Sequence, residues 1–206
     1  MSGAFPIATS KFETMGIQSI QPTLISKSIS GKKLSRTIDA QRWAFTISII
    51  TSTRATAYGE LMAFIVKQRS GKENFTIVPP EIEDARGNET GSVLVNGAQS
   101  AGDTTIAMDG FAGDGAGRFK AGDYIKFASH TKIYMVVSDV TSSSNAATVT
   151  IEPPLVADIT NNSAVTYDDV AFTVHLTNDV QEFGVVGTDK DGNSLYKYEF
   201  DVEESL

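Results

Sequence analysis

The hydrophobic pattern of the chain centres on Gln41–Pro80, which predicts a strand, a helix and a second strand. From Arg42 to Ile50 the residues alternate as in a strand with one buried face. The predicted buried face of this strand holds Trp43, Phe45, Ile47 and Ile49. From about Ala55 to Arg69 the apolar spacing becomes helical. The predicted buried stripe of this helix holds Tyr58, Leu61, Met62, Ile65 and Val66, with Phe64 to one side.

The ends of the predicted helix carry typical capping residues. Ser52, Thr53 or Thr56 can cap its N-terminus through a side-chain oxygen. Gly71 suits a left-handed terminator at the other end. Phe75–Val78 then returns as a strand, and Pro79–Pro80 ends it because proline has no backbone donor. The helix is therefore expected to lie across a sheet as a lid.

Further strands are predicted on both sides of this unit. Before it, alternation in residues 19–30 and a turn at Gly31–Lys33 predict a hairpin, and the stretch up to about Phe12 is expected to be an arm that orders only against a neighbour. After Asp169, strands are predicted at Val170–Thr177, Glu182–Val186 and Ser194–Val202, with a hairpin turn at residues 188–193. We expect these last strands to rejoin the sheet of the first part.

The middle of the chain has a different pattern of hydrophobic and polar residues. Glu81–Thr90 is polar and without periodicity, which is typical of a linker. Six short strand candidates follow, separated by Gly, Asp, Ser and Asn turns, and they predict a small barrel or sandwich. They are Gly91–Ala98, Thr104–Met108, Asp123–Ala128, Lys132–Val137, Ala147–Ile151 and Ala164–Tyr167. The predicted division is a discontinuous domain of residues 1–84 and 169–206 that carries an inserted domain of residues 85–168.

The charge of the chain is unevenly distributed. Residues 1–72 hold ten Lys/Arg against three Asp/Glu, a formal charge of +7, whereas residues 73–206 hold seven against twenty-two, a charge of −15. This asymmetry fits either ordinary solvated surface or a subunit with unlike faces suited to head-to-tail contacts. The acidic majority argues against sequence-specific nucleic-acid binding. Neither a membrane helix nor a signal peptide is predicted, so synthesis and retention in a cytoplasm are expected.

No catalytic, cofactor or metal site is predicted. The chain has no cysteine, and its two histidines, His130 and His175, lie in strand-like runs. The glycine-rich stretch Asp109–Lys120 lacks the spacing of a phosphate loop and is expected to be a mobile loop or hairpin. Asp189–Asn193 begins like a calcium loop, but its glycine is at the fourth position and Phe200 stands where the bidentate Glu is required. A tight hairpin turn is the preferred interpretation.

The order of three segments resembles distal tail and baseplate-hub proteins of tailed bacteriophages. The first is RTIDAQRW, Arg36–Trp43, followed by the strand–helix–strand unit that ends at Phe75–Pro80. The second is an inserted β-module that runs through Val95–Ile106, Phe119–Phe127 and Ile151–Leu155. The third is the return segment Val170–Leu206, which ends in an aromatic strand and an acidic tail.

This resemblance implies a mainly β, α+β fold: a tail-tube-like β-sandwich domain with one packed helix, carrying a small β-barrel of the oligonucleotide/oligosaccharide-binding kind. It also implies a virion protein that assembles in the host cytoplasm as a ring, usually of six copies. Such a ring joins the tail tube to the hub, baseplate or fibres. DNA passes its channel without specific binding, and an acidic channel wall would repel that DNA.

If a ring forms, the polar edge of the helix is expected at the subunit interface. The residues of this edge are Arg54, Glu60, Lys67 and Arg69. One alternative is another ring subunit of the tail tube or neck. A second is a carbohydrate-binding module or adhesin, which would need exposed aromatic rings in the inserted module, with Tyr124, Phe127, Tyr134 and Tyr167 as candidates. A glycan hydrolase is the third alternative, although no paired carboxylates in an aromatic cleft are recognisable.

Overall fold

A six-stranded antiparallel sheet forms the first half of the structure. The computed structural model describes residues 3–37, 41–80 and 82–206. The strand order is β1-β4-β16-β14-β5, and β15 pairs with β16 beside β14. The bounds are β1 Phe12–Ile20, β4 Arg42–Thr53, β5 Phe75–Ile77, β14 Phe172–Leu176, β15 Gly184–Thr188 and β16 Ser194–Glu204. The prediction that the last strands of the chain rejoin the first sheet is therefore confirmed.

The alternation read from the sequence matches the observed faces of this sheet. The four apolar residues predicted for the inner face of β4 are at most 6% exposed. On β16, Tyr198, Phe200 and Val202 are buried, whereas Glu199 is exposed. Residues 188–193 form the hairpin turn, in which Asp189 accepts hydrogen bonds from the backbone of Asp191 and Asn193. The Asp189 carboxylate, which a calcium loop would have used as a metal ligand, therefore accepts backbone hydrogen bonds within the turn.

A second six-stranded sheet forms an almost closed barrel. Its order is β13-β9-β10-β12-β7-β6, and backbone hydrogen bonds of Val95 to Ser163 and of Val165 to Val93 link its two edges. The bounds are β6 Leu94–Val95, β7 Thr105–Asp109, β9 Tyr124–Phe127, β10 Ile133–Val136, β12 Ala146–Glu152 and β13 Val165–Thr166. Each of the six strand candidates of the middle segment corresponds to one of these strands. The barrel encloses its own cluster of buried side chains.

The glycine-rich segment contains a short strand that the sequence did not predict. β8 Gly115–Ala116 pairs with β11 Thr141–Ser142. Ser142 is buried and its hydroxyl donates to the carbonyl of Gly113 over 2.6 Å. The stretch expected to be a mobile loop or hairpin is thus tied to β11 by a short strand pairing.

The predicted helix is present, with corrections at both ends. It begins as a π-helical turn, Arg54–Tyr58, and continues as α1, Gly59–Lys67. Thr53 is the cap, because its hydroxyl accepts from the backbone N–H of Thr56. The left-handed residues at the C-terminus are Arg69 and Ser70, not Gly71. Gly71 instead meets the next segment closely, since a Cβ there would lie 2.6 Å from the carbonyl oxygen of Leu176.

The predicted apolar stripe was wrong at Val66. Tyr58, Leu61 and Ile65 are buried, but Val66 is 65% exposed. At 3.6 residues per turn Val66 lies roughly 140° around the helix from Leu61. Phe64, on the other flank of Leu61, packs instead against Phe75 with ring centroids 5.3 Å apart. The contact of Phe64 with Phe75 fixes the rotation of the helix about its axis, so Val66 faces away from the sheet.

The N-terminal segment packs on its own chain, so the prediction of an arm ordered only by a neighbour was wrong. The ring of Phe5 lies 5.5–6.2 Å from those of Phe12, Phe64, Phe75 and Phe200. Its backbone N–H donates to Thr76 over 2.8 Å. The contacts of this partly buried ring with four others stabilise the segment. Residues 1–2 of the predicted arm lie outside the described ranges, as do residues 38–40 of the Arg36–Trp43 segment and residue 81 of the linker.

The predicted N-terminal hairpin is present and projects from the sheet. β2 Thr23–Lys27 pairs with β3 Lys33–Thr37 through the turn at residues 28–32. Every residue of both strands is exposed. The hairpin directly follows β1 and precedes β4, so it extends from the end of the sheet at which β4 begins.

Candidate assembly interface

Two strands of the first sheet, β1 and β15, have an open edge. Within the described part of the chain, β1 pairs only with β4, and β15 pairs only with β16. These strands lie on opposite sides of the β4–β16 pair. An unpaired strand edge presents backbone donors and acceptors that another chain can pair with. Each of these two strands therefore has an edge with which a further strand can pair.

One face of this sheet is polar and rich in carboxylates. Register places Thr46 opposite Asp201 and Ser48 opposite Glu199, and Thr46 donates to the Asp201 carboxylate over 2.6 Å. The carboxylates of this face are Glu13, Glu199, Asp201 and Glu203, and its cations are Arg42 and Lys197. The four carboxylates outnumber the two cations, so the face is net acidic.

Two ion pairs organise this polar face. Arg42 binds Glu203 over 2.8 Å and Lys197 binds Glu13 over 2.7 Å. The hydrogen bond from Lys197 lowers the pKa of the Glu13 carboxyl, and Glu13 in turn raises the pKa of Lys197. Both groups therefore stay charged at neutral pH.

The four residues predicted for the subunit interface are all exposed. Arg54 and Lys67 line one shallow groove along the outer side of the helix, together with Gly59, Met62, Ala63 and Val66. Glu60 and Arg69 do not line that groove. The structure thus brings two of the four residues together, around an exposed apolar strip that includes the mispredicted Val66. Their place at a subunit interface stays a prediction.

A buried ion pair, which was not predicted from the sequence, joins the barrel to the sheet. Lys132, just before β10, lies 2.5 Å from Glu204 at the end of β16, and both side chains are at most 1% exposed. Glu204 also accepts from the backbone N–H groups of Ile133, at 2.7 Å, and Trp43, at 3.1 Å. Burial raises the pKa of Glu204 and lowers that of Lys132, and the attraction between the two opposes both changes.

Trp43 completes this junction. Its indole N–H donates to the carbonyl of Ile133 over 3.0 Å, which also accepts from Lys132 over 2.9 Å. The ring of Tyr124 packs edge-on against Trp43 at 5.2 Å. Tyr124 and Ile133 of the barrel belong to the hydrophobic cluster of the first sheet. The barrel is therefore held to the sheet by packing as well as by its two covalent connections.

The two connections run side by side. Ala85 donates to Tyr167, and Val170 donates to Glu83, each over 2.9 Å. This places the carboxylates of Glu83, Asp84, Asp168 and Asp169 close together. Burial and the neighbouring Asp84 and Asp169 raise the pKa of Glu83, and burial and Asp84 raise that of Asp168. Across the described ranges, no group of His, Asp or Glu has the arrangement of a metal site.

The aromatic residues proposed for sugar binding form part of the hydrophobic core. Tyr124, Phe127, Tyr134 and Tyr167 are between 0% and 7% exposed. His130 is buried with them and hydrogen-bonds the Tyr134 hydroxyl over 2.8 Å. These rings offer no stacking platform for a sugar. No helix in the described segments is long and apolar enough to span a membrane.

Comparisons with known proteins agree with the resemblance drawn from the sequence. Residues 83–170 match the family described as the B domain of distal tail protein pb9. Distal tail protein pb9 of Escherichia phage T5 is 23% identical over 168 residues, which cover 81% of this chain and 80% of that protein. The predicted similarity to a distal tail protein of a tailed phage is confirmed, and it supports a structural role in the virion tail.

Proposed function

Since the chain matches a phage distal tail protein along most of its length, we propose that it forms a ring, of six copies, at the distal end of the tail. The ring joins the tail tube to the hub, baseplate or fibres, and it is assembled in the host cytoplasm. Its role is structural rather than enzymatic. The observation that carries this proposal is the pair of open edges, β1 and β15, on opposite sides of one sheet.

Two different open edges favour a closed ring over a two-fold dimer. If the β1 edge of one copy contacts the β15 edge of the next, each copy has two neighbours, and the contact is heterologous. Such contacts close into a ring when the rotation between copies permits it. Residues 1–84 and 169–206 would form this ring-building domain, and residues 85–168 the module that it carries.

We place the carboxylate-rich face of the sheet on the channel side. This face carries Glu199 and Asp201 and has small or hydroxyl side chains between them, such as Thr46 and Ser48. A net negative wall repels the phosphates of passing DNA. The helix, on the opposite face, then lies outside the channel, with Arg54, Glu60, Lys67 and Arg69 near the neighbouring subunit.

The proposal is tested by measuring the mass of the purified protein by mass photometry and imaging it by negative-stain electron microscopy. A ring with a central opening supports it. A protein that stays monomeric at high concentration contradicts it. The variant Val185→Pro places a residue without a backbone N–H in the edge strand β15 and is expected to weaken the ring while the monomer stays folded.

A further inference from the structure

A cleft of about 540 Å³ lies between the first sheet and the barrel. One wall, the sheet wall, is formed where β1 ends and β4 begins, and the other, the barrel wall, by β10, β12 and the residue that follows β12. The sheet wall consists of Ser19, Gln21, Gln41 and Trp43, and the barrel wall of Met135, Glu152 and Pro153. A cleft of this volume can hold a small molecule or a side chain of another protein.

Strand pairing places the lining side chains on the same side of each wall. Ser19 is directly opposite Trp43 in the β1–β4 pair, and Met135 is directly opposite Glu152 in the β10–β12 pair. Directly opposite residues of an antiparallel pair point to the same face. Each wall of the cleft is therefore built on one cross-strand pair.

Gln41 has an acceptor that no group of the chain satisfies. Its side chain lies in the sheet wall and the residue is 4% exposed. Its amide Nε2 donates to the Ser19 hydroxyl over 2.9 Å and to the Arg42 carbonyl over 3.2 Å. Its Oε1 is buried without a hydrogen-bond partner. Because a buried acceptor without a donor is unfavourable, a bound group that carries an N–H is favoured beside Gln41.

The charge of the cleft is negative. Glu152 is the acidic residue among the lining side chains, and none of them is Lys or Arg. Glu152 is exposed at the barrel wall, so its carboxylate is accessible to a cation. The apolar lining comes from Trp43, Met135 and Pro153, which suits the aliphatic stem of a long basic side chain.

We infer that this cleft binds an arginine side chain of a partner protein. The guanidinium donates to the Glu152 carboxylate and to Oε1 of Gln41, and the stem packs on Met135 and the edge of Trp43. Arginine fits better than lysine, because its planar group has five N–H donors that can reach acceptors on two different residues. The inference goes beyond the ring, since both walls of the cleft belong to one chain.

The inference is tested with a blocked tripeptide that has arginine at its centre. Trp43 is the single tryptophan of the sequence, so its fluorescence reports binding in the cleft, and the NMR signal of the Met135 methyl group localises it. We expect a saturable fluorescence change and a shift of the Met135 signal. The matched peptide has citrulline at the centre, which replaces the guanidinium by an uncharged urea, and it should bind more weakly.

Glu152→Gln removes the negative charge at an exposed position and should weaken binding of the arginine peptide by about two- to fivefold. Glu182→Gln is the matched control, because Glu182 is an exposed carboxylate outside the cleft, and its affinity should equal that of the unmodified protein. Added KCl should also weaken binding, since the pair of charges is partly exposed to solvent.

Three results would each overturn the inference: no saturable change, equal affinity for the citrulline peptide, or an affinity that neither Glu152→Gln nor KCl lowers. A response to an uncharged disaccharide such as maltose, without one to the arginine peptide, would assign the cleft to sugars and also overturn it. The titration does not require a ring, so its failure leaves the proposed function standing, and a monomeric protein leaves the inference standing.

Discussion

Replacing Glu204 by glutamine should strongly destabilise the junction between barrel and sheet. Glutamine keeps the shape of the side chain but removes the counter-charge of Lys132, which lies 2.5 Å away in a site that is at most 1% exposed. It also replaces one of the two acceptor oxygens that bind the backbone N–H groups of Trp43 and Ile133. The variant therefore leaves a buried ammonium group unpaired and one backbone donor unsatisfied.

The expected loss is a large fraction of the stability of the protein. Removing one partner of a buried ion pair costs about 3–5 kcal/mol, against a total of about 5–15 kcal/mol for a typical native protein. For a chain of 206 residues, a loss of this size lowers Tm by roughly 6–20 °C. The double variant Lys132→Met/Glu204→Gln removes the unpaired charge, so only the unsatisfied donor remains, at about 1–3 kcal/mol. The double variant should therefore be more stable than the single one.

Differential scanning calorimetry and urea denaturation measure both variants. Lys197→Met is the matched control, because the ion pair of Lys197 with Glu13 is solvent-exposed, and its Tm should stay close to that of the unmodified protein. The order of stability should be unmodified protein, double variant, then Glu204→Gln. If Glu204→Gln melts within a degree or two of the unmodified protein, or below it by no more than Lys197→Met, the junction does not depend on this pair and the reasoning is refuted.

Three further predictions concern the interface, the backbone and the connections. Arg69→Glu should lower the fraction of protein in rings, seen by mass photometry, while circular dichroism shows a folded monomer; an unchanged ring would undercut the placement of Arg69 at the interface. Gly87→Ala should destabilise by about 1–3 kcal/mol, because its Cβ would lie 1.9 Å from the backbone oxygen of Arg118, whereas Gly187→Ala has open space and should be neutral; equal melting temperatures would contradict this. Glu83→Gln should be more stable than the unmodified protein at pH 7, because an ionised Glu83 with a raised pKa disfavours the fold above that pKa. This advantage should vanish as the pH falls through the raised pKa to the ordinary value of about 4.3. An advantage that stays constant with pH would argue against this cause.

Local sequence patterns were sufficient to predict most of the strands and the helix. Alternation identified the inner face of β4 because one side of that strand is buried and the other is polar, which is the condition under which period two is visible. The helical spacing, by contrast, wrongly placed Val66 on the buried stripe of the helix. The helix has apolar residues around more than half of its circumference, and only the position of Phe5 and Phe75 decides that Phe64 faces inward.

The parts that sequence could not predict depend on contacts between distant residues. Lys132 and Glu204 are 72 positions apart, and each is surrounded in sequence by residues that look like ordinary strand and acidic tail. The same holds for Phe5, which lies in the stretch predicted to be an arm ordered only by a neighbour, although its ring packs among residues as distant as Phe200. An open strand edge also has no local signal in the sequence, since it is defined by what lies beside it in the sheet.

The most direct test of the central claim is the mass of the purified protein in solution. Six copies of the 22.0 kDa chain give about 132 kDa. Mass photometry over a concentration series should show this species increasing at the expense of the monomer, and negative-stain images should show rings with a central opening. A single species of monomer mass at every concentration, without rings at the distal end of the virion tail, would contradict the account.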